Sequence, residues 1–420
     1  MPAVTARARR ALSRLSGDPR VLDAIAGVAI RRALRRRRPG RLAVLLGPPG
    51  RGNIGDQALV EAFCENVTGP VVVVVRASGD VEVPAQLSTR VRVEVLPGLL
   101  YGGARSHARD AARLGRLLAD ASSFSVVGAD IMDGAYAHRA SIARANLAAR
   151  ASRAGIDSRI LGFSWNDAPH PGALAAVRRA SRSGVRLLAR DPVSASRLAE
   201  AGVPTDETAD IVFSARTTDS RVADRVVERV GDDFAIVNAS GLVAGDHDQL
   251  DDLEGVVDRL RAGGRGVLIL PHVSRPGGDD IAVCRELAAR VDAGVLGGDR
   301  PPSGVLLIDR LVSPAEIRGL ARRARLTVTG RMHLAIMSIM HGVPAVTVST
   351  QGKVEGLMER TGTPGLCIAP GPGFGDRVHA ALDAIESGAA VRERVRAAAP
   401  RLVADAERNL DGLPAAGAGA

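Results

Sequence analysis

From residue 42 onward, short and nearly unbroken Val/Leu/Ile runs alternate with longer stretches in which apolar residues recur at helical spacing. The runs predict strands at Leu42–Leu46, Val71–Val75, Val91–Leu96, Phe124–Val127, Arg159–Phe163 and Val185–Ala189. A second series is expected at Phe234–Asn238, Gly266–Leu270, Val305–Ile308, Leu326–Val328 and Ala345–Val348. Helical periodicity falls at Arg105–Asp120, Ala137–Ala154, Gln249–Ala262, Asp280–Val291, Pro314–Arg323 and Met332–His341. Strands without polar alternation are apolar on both faces, so helices must cover both sides of mainly parallel sheets. The expected class is α/β, with two Rossmann-like domains facing across a cleft and ligands held outside the carboxyl ends of the strands.

A polar stretch, residues 214–220, separates the two series and is the expected hinge. The expected organisation is a basic helical arm at 1–40, a first domain at 41–214, a second at 215–411 with a closing helix, and a disordered tail at 412–420. Apolar residues make up 46% of the 420 but aromatics only 2%, so the cores must be aliphatic. Cys64, Cys284 and Cys367 lie far apart and form no C-x-x-C pair. They read as ordinary thiols of a reducing cytoplasm, without disulfide frame or zinc site, and no metal-ligand set is expected.

The net charge of +10 is local. Residues 1–41 hold twelve arginines against Asp18 and Asp23, which accounts for the whole surplus and leaves a neutral body. A nucleic-acid binder would need a basic face on the body and aromatic platforms, so none is expected. The arm reads as helix at Arg7–Leu15 and Val21–Arg38, broken at Gly17-Asp18-Pro19. Its apolar core is too short to span a bilayer, and no signal-peptide cleavage pattern follows. Two readings stay open for residues 1–38: a cationic helix lying on an anionic cytoplasmic membrane surface, or a leader helix packed on the body.

Candidate chemistry gathers where predicted strands end. Gly47-Pro48-Pro49-Gly50-Arg51-Gly52 has the spacing of a P-loop, but Asn53 and Ile54 stand where Lys and Ser/Thr are required, so ATP hydrolysis is not expected. In Asn53-Ile54-Gly55-Asp56, Asp56 is suited to cap a helix beginning near Gln57, whereas Asn53 invites a polar ligand with hydroxyls. Asp130 and Asp133 fit either ligand hydroxyls or capping of the helix near Tyr136. Asp191, before Pro192, reads as a helix cap. The strongest cluster is Thr329-Gly330-Arg331-Met332-His333, at a strand-to-helix junction suited to an anion. Arg331 can fork onto phosphate or carboxylate, and His333 can carry a proton. Lys353, the only lysine, follows the adjacent strand and adds a compact ammonium. His272 also follows a strand and is a second candidate for the cleft, while His341 fits a helix C-terminus.

At these residues the chain resembles the polysaccharide pyruvyl transferase family. The resemblance runs through Asn53-Ile54-Gly55-Asp56, Gly128-Ala129-Asp130, Arg190-Asp191-Pro192-Val193-Ser194 and Asp210-Ile211-Val212-Phe213. It ends in Gly330-Arg331-Met332-His333, His341-Gly342-Val343-Pro344 and Lys353-Val354-Glu355-Gly356-Leu357. It implies a GT-B-like fold and transfer of an enolpyruvyl group from phosphoenolpyruvate, as co-substrate and without a cofactor, to a sugar or lipid-linked glycan. The products would be a pyruvate ketal and phosphate. Carried over by position, His333 would be the general acid, Arg331 and Lys353 would hold the donor beside Gly330 and His272, and Asn53, Asp56, Asp130 and Asp133 would line the acceptor side. The family is usually richer in glycine where Ala129 and Asp130 stand. Two other readings are a nucleotide-sugar glycosyltransferase or epimerase of the same fold, and a non-catalytic glycan- or membrane-binding protein. A retaining glycosyltransferase would carry a second Glu eight residues before Glu355, where this chain has Thr347.

Overall fold

The computed structural model describes residues 18–38, 40–243, 248–298, 303–349 and 353–414. The expected helix at Arg7–Leu15 and most of the tail lie outside them. Two compact units result. The first is built on a seven-stranded sheet of β1 (Leu42–Leu46), β2 (Val71–Val75), β3 (Val91–Val95), β4 (Ala121–Ala129), β5 (Asp157–Phe163), β6 (Arg186–Ala189) and β7 (Asp206–Glu207), in the order β3-β2-β1-β4-β5-β6-β7. Every pairing is parallel; Val44 faces Val72 on one side and Phe124 on the other. The order reverses between β1 and β4, which opens a crevice at their carboxyl ends.

β1 and β2 are sequestered on both faces, with Val44, Leu45 and Val73 fully buried. That is the reason their runs show no alternation. The helices at Ala104–Ala119 and His138–Arg153 turn their apolar sides to this sheet and their arginines largely to water.

Of the two readings of the arm, the described part has the packed geometry. The helix Pro19–Leu34 starts at Asp18, whose side chain accepts the Arg20 N–H at 2.7 Å. It buries Ala26, Gly27 and Ile30 against the body. Arg150 pairs with Asp23 at 2.6 Å, and the buried His107 ring bridges the Leu22 and Leu99 carbonyls at 2.9 Å each. Ala26 and Ile30 are thus spent on internal packing, while Val21 and Val28 stay exposed together with Arg20, Arg31 and Arg32.

The Arg190-Asp191-Pro192 and Asp210 stretches form one buried network. Asp191 caps the helix Pro192–Glu200 by accepting the Ser194 N–H at 2.7 Å, as its position before proline predicts. Arg190 pairs with Asp210 at 2.8 Å and also donates to Ser164 Oγ. These residues hold the edge of the sheet together.

The second unit has a seven-stranded parallel sheet of β8 (Phe234–Asn238), β9 (Gly266–Ile269), β10 (Gly294–Val295), β11 (Val305–Leu307), β12 (Leu326–Thr329), β13 (Ala345–Val348) and β14 (Cys367–Ile368), in the order β10-β11-β9-β8-β12-β13-β14. Its reversal point lies between β8 and β12. Two segments depart from a division at residue 214. Residues 51–62 belong to the second unit, and the chain from Arg408 returns to the first. The return is fixed by Asn409, whose side chain accepts the Gly162 N–H and donates to the Ala209 carbonyl, both at 2.8 Å. The first departure is explained by backbone pairing of Gly52 to Ile54 with His272 to Ser274.

His341 differs from expectation. It is not a cation stabilising a helix end, because burial first, and then Arg322 and Arg318, push its pKa down to about 4. An unfolded histidine protonates near 6.5, so stability on this account is full above that pH and falls as pH drops toward 4. Chemical denaturation of the wild type should show a loss on the order of 2–3 kcal/mol over that window that His341→Gln lacks.

Candidate functional site

Where β8 and β12 end, Thr329 donates its hydroxyl to Asn238 Oδ1 at 3.1 Å, and its Oγ accepts the Arg331 N–H at 2.9 Å. Chain direction then changes into the helix Met332–Ile339. Gly330 is a packing requirement at this bend, since any Cβ would run into Ser240 and Val243.

A residue that pattern analysis read only as the start of a helix organises this mouth. Asp280 is fully buried and its carboxylate accepts from Asn238 Nδ2 at 3.1 Å and from the N–H groups of Gly241, His272 and Val273 at 2.9 to 3.1 Å. It also takes the forked edge of Arg331, with Nη2 at 2.6 Å and Nε at 3.1 Å. Arg331 Nη2 further donates to the Gly278 carbonyl. The bidentate edge expected to grip a ligand is thus turned onto Asp280, which leaves Nη1 as the group without a partner among the described residues. No spacing signal distinguishes Asp280 from an ordinary first-turn carboxylate.

His272 is buried to 1% exposure, and neither ring nitrogen has a hydrogen-bond partner. Desolvation, followed by the charges of His333 and Arg331, lowers its pKa well below 6.5, so the ring is neutral. Three of the predicted side chains, His272, Arg331 and His333, therefore interact electrostatically around one mouth. His333 occupies the first turn of its helix and is half-buried.

Asn53 and Asp56 come to the same unit. The helix starts at Ile54, three residues before expectation, and it is Asn53 Oδ1 that accepts the Gly55 N–H, at 3.0 Å. The capping role assigned to Asp56 is thus taken by Asn53, because backbone pairing with Val273 fixes Asn53 just outside the first turn. Asp56 instead lies 3.6 Å from the Arg275 guanidinium. Gly55 packs directly on the His333 imidazole, and a Cβ there would overlap Nδ1 and Cγ. Gly55→Ala is expected to displace the ring and lower kcat about 100-fold, measured by steady-state turnover, with little change in melting temperature.

Lys353 opens the helix Lys353–Thr361 after β13, which pairs in parallel with β12 through Thr329 and Thr347. The ammonium-bearing residue thus leaves the sheet on the edge that carries Arg331 and His333. Gly352, before it, lies outside the described residues.

Asp130 and Asp133 lie in the first unit, past the end of β4. Asp133 is buried and accepts the Ala135 N–H at 2.9 Å, closing a turn. The following helix begins only at His138 and has no side-chain cap, so neither carboxylate serves it. Burial, above all, and then Asp130 raise the Asp133 pKa, with backbone hydrogen bonds opposing. Ala129 has φ of 46°, a left-handed backbone that favours glycine. The alanine at this position therefore carries strain that a glycine would relieve. Among the described residues no cluster of three or more His, Cys, Asp or Glu side chains could hold a metal.

Solved structures share this architecture. UDP-GlcNAc 2-epimerase from Neisseria meningitidis, bound to UDP-GlcNAc, aligns at TM-score 0.55 and 13% identity over 87% of this chain and 97% of its own. A putative UDP-N-acetylglucosamine 2-epimerase from Listeria monocytogenes gives 0.53 and 12% over 89% and 97%. A ugt transferase from Siraitia grosvenorii in complex with UDP gives 0.52 and 11% over 86% and 94%. The chain has the two-Rossmann, GT-B-like fold of glycosyltransferases and sugar epimerases. No curated protein matches it by sequence. The family model of polysaccharide pyruvyl transferase matches residues 53–352, and the chain belongs to that family.

Proposed function

We propose that the protein transfers an enolpyruvyl group from phosphoenolpyruvate to two hydroxyls of a cell-envelope or exopolysaccharide sugar, forming a cyclic pyruvate ketal and releasing phosphate. The observation that carries this reading is the gathering of His333, His272 and Arg331 at the carboxyl edge of β8 and β12, within the family match. Arg331 Nη1 and Lys353 neutralise the donor's anionic groups, while Asp280 fixes the guanidinium plane. His333 gives a proton to the methylene carbon, which makes the neighbouring carbon electrophilic. One sugar hydroxyl adds there and phosphate departs; the second hydroxyl then closes the ring. The two hydroxyl protons balance the one placed on carbon and the one carried by phosphate. His272, neutral and buried, supplies a hydrogen bond without a competing charge. Asn53, Asp56, Asp130 and Asp133 are the proposed acceptor contacts, and the first two belong to the unit that carries the donor residues.

Attachment to an anionic membrane surface fits the leader helix. Arg31, Arg35, Arg37, Arg150 and Arg153 line a groove beside Ile30 and Leu34, and Arg31, Arg35 and Arg153 have no partner among the described residues. Among those residues no helix is long and apolar enough to cross a membrane. The acceptor is proposed to be sugar or lipid-linked glycan at the cytoplasmic face.

Mass spectrometry of the cell-envelope glycan with and without the gene tests the reading, because a pyruvate ketal changes both mass and charge. An unchanged glycan, together with nucleotide release from a nucleotide-sugar by the purified protein, would replace it with glycosyl transfer.

A further inference from the structure

The cations assigned so far do not balance the proposed donor. Phosphoenolpyruvate carries about three negative charges near neutral pH, two of them on phosphate. Arg331 is already neutralised by the buried Asp280 carboxylate at 2.6 Å, and His272 is a neutral ring. Lys353 and the proton that His333 delivers offset only part of the donor's charge.

The loop between β9 and Asp280 supplies a further cation. It is closed by the Asp280 N–H, which donates to the Val273 carbonyl at 2.8 Å, and its Gly278 carbonyl accepts Arg331 Nη2, also at 2.8 Å. The Ser274 N–H donates to the Gly52 carbonyl at 2.7 Å. Gly52 has φ of 85°, and a Cβ there would strike the Ser274 carbonyl. The loop is therefore tied both to Arg331 and to the turn before the helix Ile54–Asn66, whose Gly55 lies on the His333 ring.

Arg275 stands on this loop with 43% of its side chain exposed. It faces Asp56, the residue after Gly55, with Nη1 3.6 Å from Oδ2. That separation is too long for a hydrogen bond, and partly exposed pairs of this kind contribute little. Arg331 is locked in place by its acid; Arg275 is only loosely engaged by its own, at the same mouth and within the same unit.

We propose that Arg275 is a binding residue for the donor's phosphate, which it takes by exchanging Asp56 for the ligand. A dianionic phosphate offers two oxygens at once to a planar guanidinium and is a stronger partner than a carboxylate held at ion-pair distance. The exchange also releases the Asp56 carboxylate for an acceptor hydroxyl once the donor is in place. This inference rests on the proposed transfer reaction and deepens it by dividing the donor's anionic groups: phosphate goes to Arg275, carboxylate to Arg331 Nη1 and Lys353.

Calorimetric titration of the full chain tests it, with phosphoenolpyruvate, inorganic phosphate and pyruvate in separate arms at matched ionic strength. Arg275→Gln is expected to weaken phosphoenolpyruvate and phosphate about 10–100-fold and to leave pyruvate unchanged. Arg275→Lys keeps the charge and loses the fork, so it should fall between. The melting temperature should not change in either variant, because the side chain is exposed and loosely held. Asp56→Asn should tighten phosphate about 3–10-fold with Arg275 present and not in the Arg275→Gln background. Equal phosphate affinity in Arg275→Gln, or a loss confined to pyruvate, would overturn the assignment. A gain from Asp56→Asn that persists without Arg275 would be plain repulsion and would overturn the exchange. Wild type that binds phosphate but not phosphoenolpyruvate, with the Arg275→Gln loss intact, would count against the donor chemistry and not against the phosphate site. Wild type and Arg275→Gln that bind phosphoenolpyruvate equally would keep the donor chemistry and remove Arg275 from it. Binding of neither anion by the wild type would overturn both.

Discussion

His333→Ala is expected to lower turnover by about 10²–10⁴-fold while phosphoenolpyruvate still binds. That range is what a positioned general acid supplies, and protonation of the methylene carbon is the step on which the rest of the transfer depends. The donor's anionic groups would keep Arg331 and Lys353, so the loss should fall on kcat and leave the dissociation constant nearly intact. Phosphate release in the presence of the glycan identified by mass spectrometry gives the rate, and calorimetry with phosphoenolpyruvate gives the affinity. Unchanged turnover would remove His333 from the chemistry. Restoration of rate by an exogenous imidazole would support the assignment independently of any packing change.

Asp280→Ala is expected to be the most damaging single change to the second unit. The carboxylate partners the Arg331 guanidinium, the Asn238 amide and three backbone N–H groups, and the Asn238, His272 and Val273 donors are left buried without it. Removing one member of a buried charge pair costs about 3–5 kcal/mol, and the orphaned donors add to it. A fall in melting temperature of roughly 10 °C follows, measured by calorimetry. Asp280→Asn keeps an acceptor oxygen but loses the charge, so it should fall between the two in stability. It should lose activity as well, because Arg331 is no longer held in plane. A neutral outcome for Asp280→Ala would mean that Arg331 has another anchor.

The strands of both sheets were legible because they are buried on both faces. Val71–Val75 and Phe234–Asn238 can hardly be anything else, and the structure places both as read. What pattern analysis passed over is short and polar or lies at an edge: Asp206–Glu207, Gly294–Val295 and Cys367–Ile368 pair on one side only and carry no run of apolar residues. β4 begins three residues before Phe124, at Ala121, because Ser122 and Ser123 break its apolar run while still facing the interior or its margin.

At the site, Arg331 and His333 could be read from residue type and position after a strand. Asp280 could not, since its partners come from four other places in the chain and only the folded backbone brings them together. The same holds for Gly55, whose importance is the imidazole lying on it.

The interleaved path of the backbone has a consequence for how the polypeptide matures. Residues 51–62 emerge from the ribosome long before the sheet they join, and Asn409 emerges after nearly all of the other unit. The hydrogen bonds that Asn409 makes to Gly162 and Ala209 cannot form until translation has passed the last helix. Each half is therefore completed by chain synthesised together with the other. Splitting the gene at residue 211 would yield one piece without its clasp and another without the helix whose Gly55 walls the imidazole.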